Sequence, residues 1–244
     1  MITSKQNALI KEIRSLSDKK FRDSLNLYVA EGVKAVRDAV ELNLPIKVIL
    51  GTEKALSALG QLPYRTETCD EIVYKSVSNE VSPQGVLAVI EKPKNELAKP
   101  SGSCIFLDGV ADPSNVGAVL RTAVASGYKD VYMTEECADP FSHKCVRSSM
   151  GGVFRANIVR GQMDELLKFI PYPIVVADMG GENVFNANVE NDFCLVIGNE
   201  GHGVSTLLRQ RADFTVSIPM ENGMESLNAA VSAGILMYNL KKHH

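Results

Sequence analysis

The sequence predicts an α/β protein of two domains, the second built on a mostly parallel sheet. Short apolar runs after residue 103 alternate with helix-like stretches, which is typical of strands buried on both faces between covering helices. Shorter alternating elements near the start indicate a smaller α/β domain. A polar segment with two prolines, residues 92–103, separates the two patterns. We therefore divide the chain into residues 1–95, a linker at 96–102 and a second domain at 103–244.

The elements of the first domain follow from the spacing of its apolar residues. Within residues 5–20, Ala8, Leu9, Ile13 and Leu16 recur on one face, which predicts a single amphipathic helix. The other predicted elements of this domain are strands at 27–30, 46–50 and 85–90 and a helix at 33–42.

The second domain contains continuous apolar runs, which predict fully buried strands. The predicted strands lie at 104–107, 131–133, 174–177, 193–197 and 214–218, and the predicted helices at 115–126, 163–170, 204–211 and 226–240. Open parallel sheets bind ligands in crevices outside the carboxyl ends of their strands. The loops that follow these strands are therefore the places to look for a site.

Composition excludes a disordered chain, and the distribution of charge is uneven. The 244 residues are 45% hydrophobic, which is too apolar for a disordered chain. The formal net charge is −3, from 26 basic and 29 acidic residues. A net charge this close to zero argues neither for nor against nucleic-acid binding. The start of the chain is locally basic, with six Lys or Arg and two acidic residues in residues 1–22. Such a run most often forms a solvated helix face.

No membrane or metal site is predicted. The five cysteines form no CxxC pair and no zinc-like spacing with histidine, and Cys104 and Cys194 lie in apolar runs typical of a core. No apolar run approaches the roughly 18 residues of a membrane span, and no secretory signal is evident, so we expect a cytoplasmic protein. The dinucleotide, phosphate-loop, metalloprotease and hydrolase-elbow motifs are all missing.

Three polar loops follow predicted strands, and each has an ordinary structural explanation when taken alone. Ser114 or Asn115 is placed to cap a helix, with Arg121 exposed further along it. Glu200 lies in a glycine-rich loop, where an acidic residue is usually solvated. Ser226 is placed to cap the last helix, with Asn228 in its first turn.

Taken together and in this order, the three loops resemble the motifs of the SpoU-type (TrmH-like) RNA 2′-O-ribose methyltransferases of the SPOUT superfamily. The matching strings are Asn115-x-Gly117-Ala118-x-x-Arg121-Thr122-Ala123, Ile197-Gly198-Asn199-Glu200-Gly201-x-Gly203, and Ile218-Pro219-Met220 followed by Ser226-Leu227-Asn228. Residues 147–155 between the first two strings are also similar to the family. The first domain more loosely resembles the family's α/β RNA substrate-binding domain, through residues 29–34 and 84–89.

The resemblance implies S-adenosyl-L-methionine as methyl donor and a ribose 2′-hydroxyl of RNA as acceptor. It also implies a deep trefoil knot in the second domain and a homodimer whose interface forms the site. One departure concerns the donor loop, because Asn222 stands where the family often has glycine. We therefore expect the loop that receives the donor to differ in detail.

The resemblance also implies roles for individual residues. The polar residues of the active site are then Asn115, Arg121, Glu200, Ser226 and Asn228, and the main-chain contacts to the adenosine come from Gly198, Ile218 and Leu227. Arg121 either activates the ribose hydroxyl or holds the adjacent phosphate. Asn115 orients Arg121 or the ribose, and Glu200 fixes the guanidinium of Arg121.

The basic start of the chain and the first domain would then bind the RNA. We expect phosphate contacts from Lys5, Lys11, Lys19, Lys20 and Arg22, which add affinity without reading sequence. By analogy with the family, whose minimal tRNA-modifying members often lack such a domain, a separate substrate-binding domain favours ribosomal RNA of the large subunit over tRNA. Two alternatives stay open: a tRNA ribose 2′-O-methyltransferase, and a non-catalytic RNA-binding factor in ribosome assembly.

Overall fold

A computed structural model describes residues 1–189 and 191–241, and the chain in it forms two compact units. The first unit comprises Met1–Lys94 together with Phe141–Phe154. The second comprises Asn95–Pro140 together with the described residues from Arg155 onward. The linear division predicted from the sequence assigned residues 141–154 to the second domain, and the structure differs here.

Side-chain packing explains why Phe141–Phe154 lies with the first unit. The ring of Phe141 packs against that of Tyr28, with 5.0 Å between centroids. The guanidinium of Arg147 pairs with the carboxylate of Glu80 at 2.6 Å. Neither contact follows from a local sequence pattern, because the partners are far apart along the chain.

Helices and strands are mixed along the described chain, which also contains a 3₁₀ helix at Gly152–Phe154. The helices are α1 (Ala8–Ser15), α2 (Lys19–Leu25), α3 (Val33–Glu41), α4 (Glu53–Leu59), α5 (Glu71–Lys75), α6 (Pro113–Ala125), α7 (His143–Ser148), α8 (Met163–Leu167), α9 (Thr206–Gln210) and α10 (Ala229–Leu240). The strands are β1 (Leu27–Glu31), β2 (Ile46–Gly51), β3 (Thr66–Thr68), β4 (Val86–Glu91), β5 (Cys104–Asp108), β6 (Asp130–Thr134), β7 (Asn157–Gly161), β8 (Ile174–Asn183), β9 (Cys194–Gly198) and β10 (Phe214–Ser217).

The predicted strands and most predicted helices are present, but the sequence reading missed several short elements. These are α4, α5, α7, β3 and β7. Strands β3 and β7 carry few consecutive apolar residues, and the missed helices span only five to seven residues. A periodic pattern needs a longer window to become visible.

The first unit contains a four-stranded sheet in the order β1-β4-β2-β3. Strand β4 pairs antiparallel with both β1 and β2, and β3 adds parallel to β2. The apolar faces of α1 and α5 close one core against this sheet, including Ile10, Ile13 and Tyr74.

The predicted single helix over residues 5–20 is in fact two helices. The first is capped by Asn7, whose side chain accepts from the N–H of Leu9, and it ends at Leu16. Asp18 then adopts an extended backbone, and its carboxylate accepts from the N–H of Lys20 to cap α2. An aspartate that caps a new helix interrupts the old one, which is why the apolar spacing alone was misleading.

Arg22 is a buried structural residue and not part of an RNA-binding surface. Its guanidinium donates to the carbonyl oxygens of Leu16 and Ser17, both at 2.8 Å, and so holds the turn between α1 and α2. The side chain is 5% exposed, so it cannot reach a phosphate. We therefore remove Arg22 from the predicted RNA contacts.

Replacing Arg22 by alanine is expected to destabilise the first unit by about 1–3 kcal/mol, because the buried carbonyl of Leu16 and the partly buried carbonyl of Ser17 lose their donor. Urea unfolding followed by circular dichroism measures this loss. The neighbouring exposed variant Lys20→Ala is the control and should change stability by less than about 0.5 kcal/mol. Equal stability of the two variants would contradict the structural role of Arg22.

The second unit contains a six-stranded parallel sheet in the order β10-β8-β9-β5-β6-β7. This confirms the predicted mostly parallel sheet. Strands β5 and β9 lie side by side at its centre, with Cys104 opposite Cys194 and Asp108 opposite Gly198. Both cysteines are free and buried, as expected. The carboxyl ends of β5 and β9 thus open onto the same edge of the sheet.

Helix α10 packs against α6 beside this edge. Gly234 of α10 faces Thr122 of α6, where an added Cβ would lie at an ordinary contact distance of 3.6 Å from Cγ2 of Thr122. The trefoil knot stays a prediction. In the part of the chain that the structure describes, no helix is long and apolar enough to cross a membrane.

Candidate active site

Two loops meet at the carboxyl ends of β5 and β9. The carboxylate of Asp108 accepts from the N–H of Ser205 at 2.7 Å. The side-chain amide of Asn199 donates to the carbonyl of Gly109 at 2.7 Å. These two bonds run in opposite directions between the loops, so each loop fixes the position of the other.

A chain of three polar side chains extends from these loops to α10. The Nδ2 atom of Asn115 donates to Oε1 of Glu200 at 2.8 Å. The Nδ2 atom of Asn228 in turn donates to Oδ1 of Asn115 at 2.9 Å. The structure therefore brings together three of the five predicted active-site residues, which come from three separate motifs.

The carboxylate of Glu200 is stabilised in its charged form. Burial alone would raise its pKa, but hydrogen bonds from Asn115 and from the backbone N–H groups of Ala111 and Asp112 outweigh this effect. The net result is a pKa below the ordinary value. Glu200 thus acts as an ionised acceptor that organises the loop after β5.

The stabilising effect of Glu200 should depend on pH with a definite sign. Because the pKa is lowered on folding, the carboxylate stabilises the protein above the ordinary carboxyl pKa, and this stability is lost as pH falls through the lowered value. We expect Glu200→Gln to reduce the urea midpoint at neutral pH, and the difference from wild type to shrink under acid conditions.

The matched control is Glu96→Gln, which changes an exposed carboxylate that makes no hydrogen bond within the described residues. Its urea midpoint should follow that of wild type at every pH. A pH-independent loss in Glu200→Gln would show that the hydrogen bonds act without the charge.

The helix caps differ from those predicted. Helix α6 is capped by Asp112, whose carboxylate accepts from the N–H groups of Ser114 and Asn115. Helix α10 is capped by Asn228, and Ser226 lies exposed in the preceding loop. Since Asp112 takes the capping role, the amide of Asn115 is free to bridge Glu200 and Asn228.

Arg121 lies apart from this chain of side chains. It is exposed on α6, six residues beyond Asn115 and so about 9 Å further along the helix axis. Within the described residues its side chain makes no hydrogen bond. The predicted pairing of Glu200 with Arg121 is therefore absent, and Glu200 holds Asn115 instead.

The loop after β9 is closed by two backbone hydrogen bonds. The N–H and carbonyl groups of Asn199 and Gly203 exchange hydrogen bonds of 3.0 and 2.9 Å. A Cβ on Gly198 would lie 2.3 Å from the carbonyl carbon of Gly203 and 2.4 Å from the nitrogen of Val204. Only glycine fits at position 198, so the close approach of Gly203 and Val204 in this loop requires that residue.

The loop from Ile218 to Leu227 presents main-chain groups. Within the described residues, its one internal backbone hydrogen bond joins the N–H of Met224 to the carbonyl of Glu221. Asn222 and Gly223 adopt left-handed φ values of +56° and +72°. Asparagine tolerates this conformation better than other side chains, so Asn222 can keep the backbone that a glycine would give. The remaining main-chain N–H and carbonyl groups of this loop could therefore bind the adenosine of the expected methyl donor.

The predicted RNA-contacting lysines lie on the first unit. Lys5, Lys11 and Lys20 are exposed, and Lys19 is exposed but pairs with Asp23 at 2.9 Å. These four remain available to a phosphate, unlike Arg22.

Sequence reasoning missed three residues that shape the site: Asp108, Asp112 and Asn199. Asp108 is a charged residue directly after an apolar strand, yet it is only 7% exposed. A charged residue at the end of a buried parallel strand could have been predicted to shape the site, since ligands bind at these strand ends. Asn199 was part of a matching string, but no role was assigned to it.

Solved structures similar to this chain are RNA methyltransferases. An S-adenosylmethionine-bound rRNA methyltransferase from Sinorhizobium meliloti aligns with a TM-score of 0.88 and 28% identity, covering 98% of this chain and 95% of that one. The SpoU methyltransferase AviRb from Streptomyces viridochromogenes, in complex with the same donor, aligns with a TM-score of 0.86 and 27% identity, covering 96% and 97%. The fold and the loops thus define a methyltransferase that uses S-adenosyl-L-methionine.

The family follows from the sequence matches. Residues 102–238 match the SpoU rRNA methylase family, and residues 7–88 match the MRM3-like substrate binding domain. The Bacillus subtilis 23S rRNA (guanosine(2553)-2′-O)-methyltransferase RlmP is 30% identical, with 98% of each chain covered. This chain belongs to the SpoU rRNA methylase family, which confirms the resemblance drawn from the three loops.

Proposed function

We propose that this protein methylates a ribose 2′-hydroxyl of large-subunit ribosomal RNA, with S-adenosyl-L-methionine as donor, in the cytoplasm. The observation that carries the proposal is the hydrogen-bonded chain Glu200–Asn115–Asn228 at the carboxyl ends of β5 and β9. A full-length relative named as a 23S rRNA 2′-O-methyltransferase supports the choice of acceptor.

The donor supplies an electrophilic methyl group on a sulfonium. Gly198, Ile218 and Leu227 belong to the two loops whose main-chain groups would hold its adenosine. Leu227 is partly exposed and can cover an apolar face of the ligand. Holding both reactants in line contributes roughly 7–11 kcal/mol in favourable cases, so alignment is the main task of these loops.

Arg121 would act on the RNA. A guanidinium keeps its proton because its pKa lies above about 12, so a role as general base is disfavoured. Its planar fork can bind a phosphate through two hydrogen bonds and stabilise negative charge that develops on the ribose oxygen. Asn115 and Glu200, which meet at the amino terminus of α6, would position the ribose.

We further propose that the enzyme is a homodimer through α10. Val231, Ile235 and Tyr238 recur at positions i, i+4 and i+7 and form an apolar stripe on this helix. Val231 is 51% and Tyr238 48% exposed, although α10 packs on α6 along its other side. A second copy covering this stripe would lie beside α6, the helix that carries Arg121.

Introducing a charge into the stripe is expected to disrupt the dimer. Val231→Asp would bury an unpaired carboxylate at the interface, so we expect a monomer by sedimentation velocity and a matching loss of methyl transfer. Met179→Asp is the control, since it adds the same charge to an exposed apolar residue on β8. A wild-type protein that sediments as a monomer would refute the dimer.

The function is tested by methyl transfer from radiolabelled donor to ribosomal RNA and tRNA purified from a strain that lacks this gene. We expect label in ribosomal RNA, at one linkage resistant to alkali, and transfer at least about 100-fold slower with Arg121→Ala. Label in tRNA alone would support the tRNA alternative. Failure to bind the donor by calorimetry would overturn the enzyme and favour the non-catalytic RNA-binding factor.

A further inference from the structure

Three side chains from distant parts of the sequence converge within the first unit. Glu31 ends β1, Glu80 precedes β4 and His143 begins α7. The Nε2 atom of His143 lies 3.2 Å from Oε1 of Glu80 and 3.6 Å from Oε2 of Glu31. One ligand atom from each residue lies within 4.8 Å of the other two.

Each carboxylate is fixed by other groups so that one oxygen faces the imidazole. Oε1 of Glu31 accepts from the hydroxyls of Tyr74 and Ser78. Oε2 of Glu80 pairs with the guanidinium of Arg147. Hydrogen bonds to the outer oxygen of a carboxylate are the usual way in which proteins orient metal ligands. Oε1 of Glu80 and Oε2 of Glu31, the latter also accepting from the backbone N–H of Asn79 at 3.3 Å, both lie beside Nε2 of His143.

The burial and charge of the cluster favour a cation at that point. The side chain of Glu31 is only 1% exposed. The Nε2 atom of His143 is buried and makes no hydrogen bond to the described residues. The carboxylate of Glu80 is 16% exposed and pairs with Arg147, whereas that of Glu31 is held by the neutral donors Tyr74, Ser78 and Asn79. A cation shared by the two carboxylates would offset the repulsion between them. One divalent ion at this point would compensate both carboxylates and would also bind Nε2 of His143, which makes no hydrogen bond within the described part of the chain.

We propose that Glu31, Glu80 and His143 bind one divalent transition-metal ion, Zn²⁺ or Mn²⁺. One imidazole nitrogen with two carboxylate oxygens suits these ions, whereas Mg²⁺ and Ca²⁺ prefer oxygen ligands alone. Three protein ligands leave a position for water, and the cluster borders a cavity of about 270 Å³. The ion joins α7 to the body of the first unit and so holds Phe141–Phe154 there. No metal was predicted from the sequence, because these ligands share no local spacing.

The alternative is a protonated His143 that pairs with both carboxylates without any metal. The two cases are distinguished by titrating chelator-treated full-length protein with Co²⁺, whose visible absorption reports bound ligands, and then with Zn²⁺ by calorimetry. The terminal His243 and His244 are replaced by alanine throughout, because adjacent histidines themselves bind these ions.

We expect one equivalent of metal to bind, and Glu80→Gln and His143→Gln each to weaken binding at least about tenfold. His202→Ala, which removes an exposed histidine of the second unit, should bind like the parent protein. Circular dichroism establishes that each variant is folded. Absence of binding in the parent, or binding unchanged in Glu80→Gln, would overturn the site and leave the proposed methyl transfer unaffected.

Discussion

Arg121→Ala is expected to lower kcat for methyl transfer by roughly 10²–10³-fold, the range seen when a donor to a developing oxyanion is removed. Donor affinity should be unchanged, because Arg121 lies outside the two loops assigned to the adenosine. Single-turnover transfer to the RNA measures the chemical step, and calorimetry with S-adenosyl-L-methionine measures donor binding. A loss of donor affinity in this variant would contradict the assignment.

A second variant separates the two roles considered for Arg121. Arg121→Lys keeps a positive charge but loses the planar fork that binds phosphate through two hydrogen bonds. If Arg121 binds phosphate, the lysine variant keeps partial activity with the pH profile of wild type. If Arg121 takes a proton, the profile shifts, because lysine titrates at lower pH. Arg211→Ala, an exposed arginine that follows α9, is the control for a general loss of positive charge.

The second domain could be predicted well because its signals are local. Strands β5 and β9 are buried along their length, and their continuous apolar runs identify them without reference to the rest of the chain. The loops after them carry their motifs in short strings. Because neighbouring strands of a parallel sheet run in the same direction, the loops after β5 and β9 lie at the same edge of the sheet.

The predictions that differ from the structure concern helix caps and contacts between distant residues. Asn115 and Ser226 each had the side chain of a capping residue, but the caps are Asp112 and Asn228. Which of several adjacent polar residues caps a helix depends on where the backbone first turns, and neighbouring polar residues satisfy the pattern equally well. The placement of Phe141–Phe154 in the first unit, and the convergence of Glu31 with His143, likewise have no local signature.

Gly198→Ala is expected to have the largest effect on the donor site. The added Cβ would lie 2.3–2.5 Å from backbone atoms of Gly203 and Val204, and these atoms cannot move without breaking the two hydrogen bonds between Asn199 and Gly203. Overpacking of this kind destabilises a protein by about 1–3 kcal/mol. We expect a loss of stability in urea together with donor binding that is weaker by at least about tenfold, which corresponds to about 1.4 kcal/mol.

Gly201→Ala provides a control within the same loop. A Cβ at this position would approach only Oδ1 of Asn199, at an ordinary 3.6 Å, and its backbone φ is not left-handed. This variant should therefore bind the donor nearly as well as wild type. If both variants lost donor affinity equally, the loop would be sensitive to any added side chain, and the specific close approach at Gly198 would not be the cause. If neither did, the donor would bind away from the carboxyl end of β9.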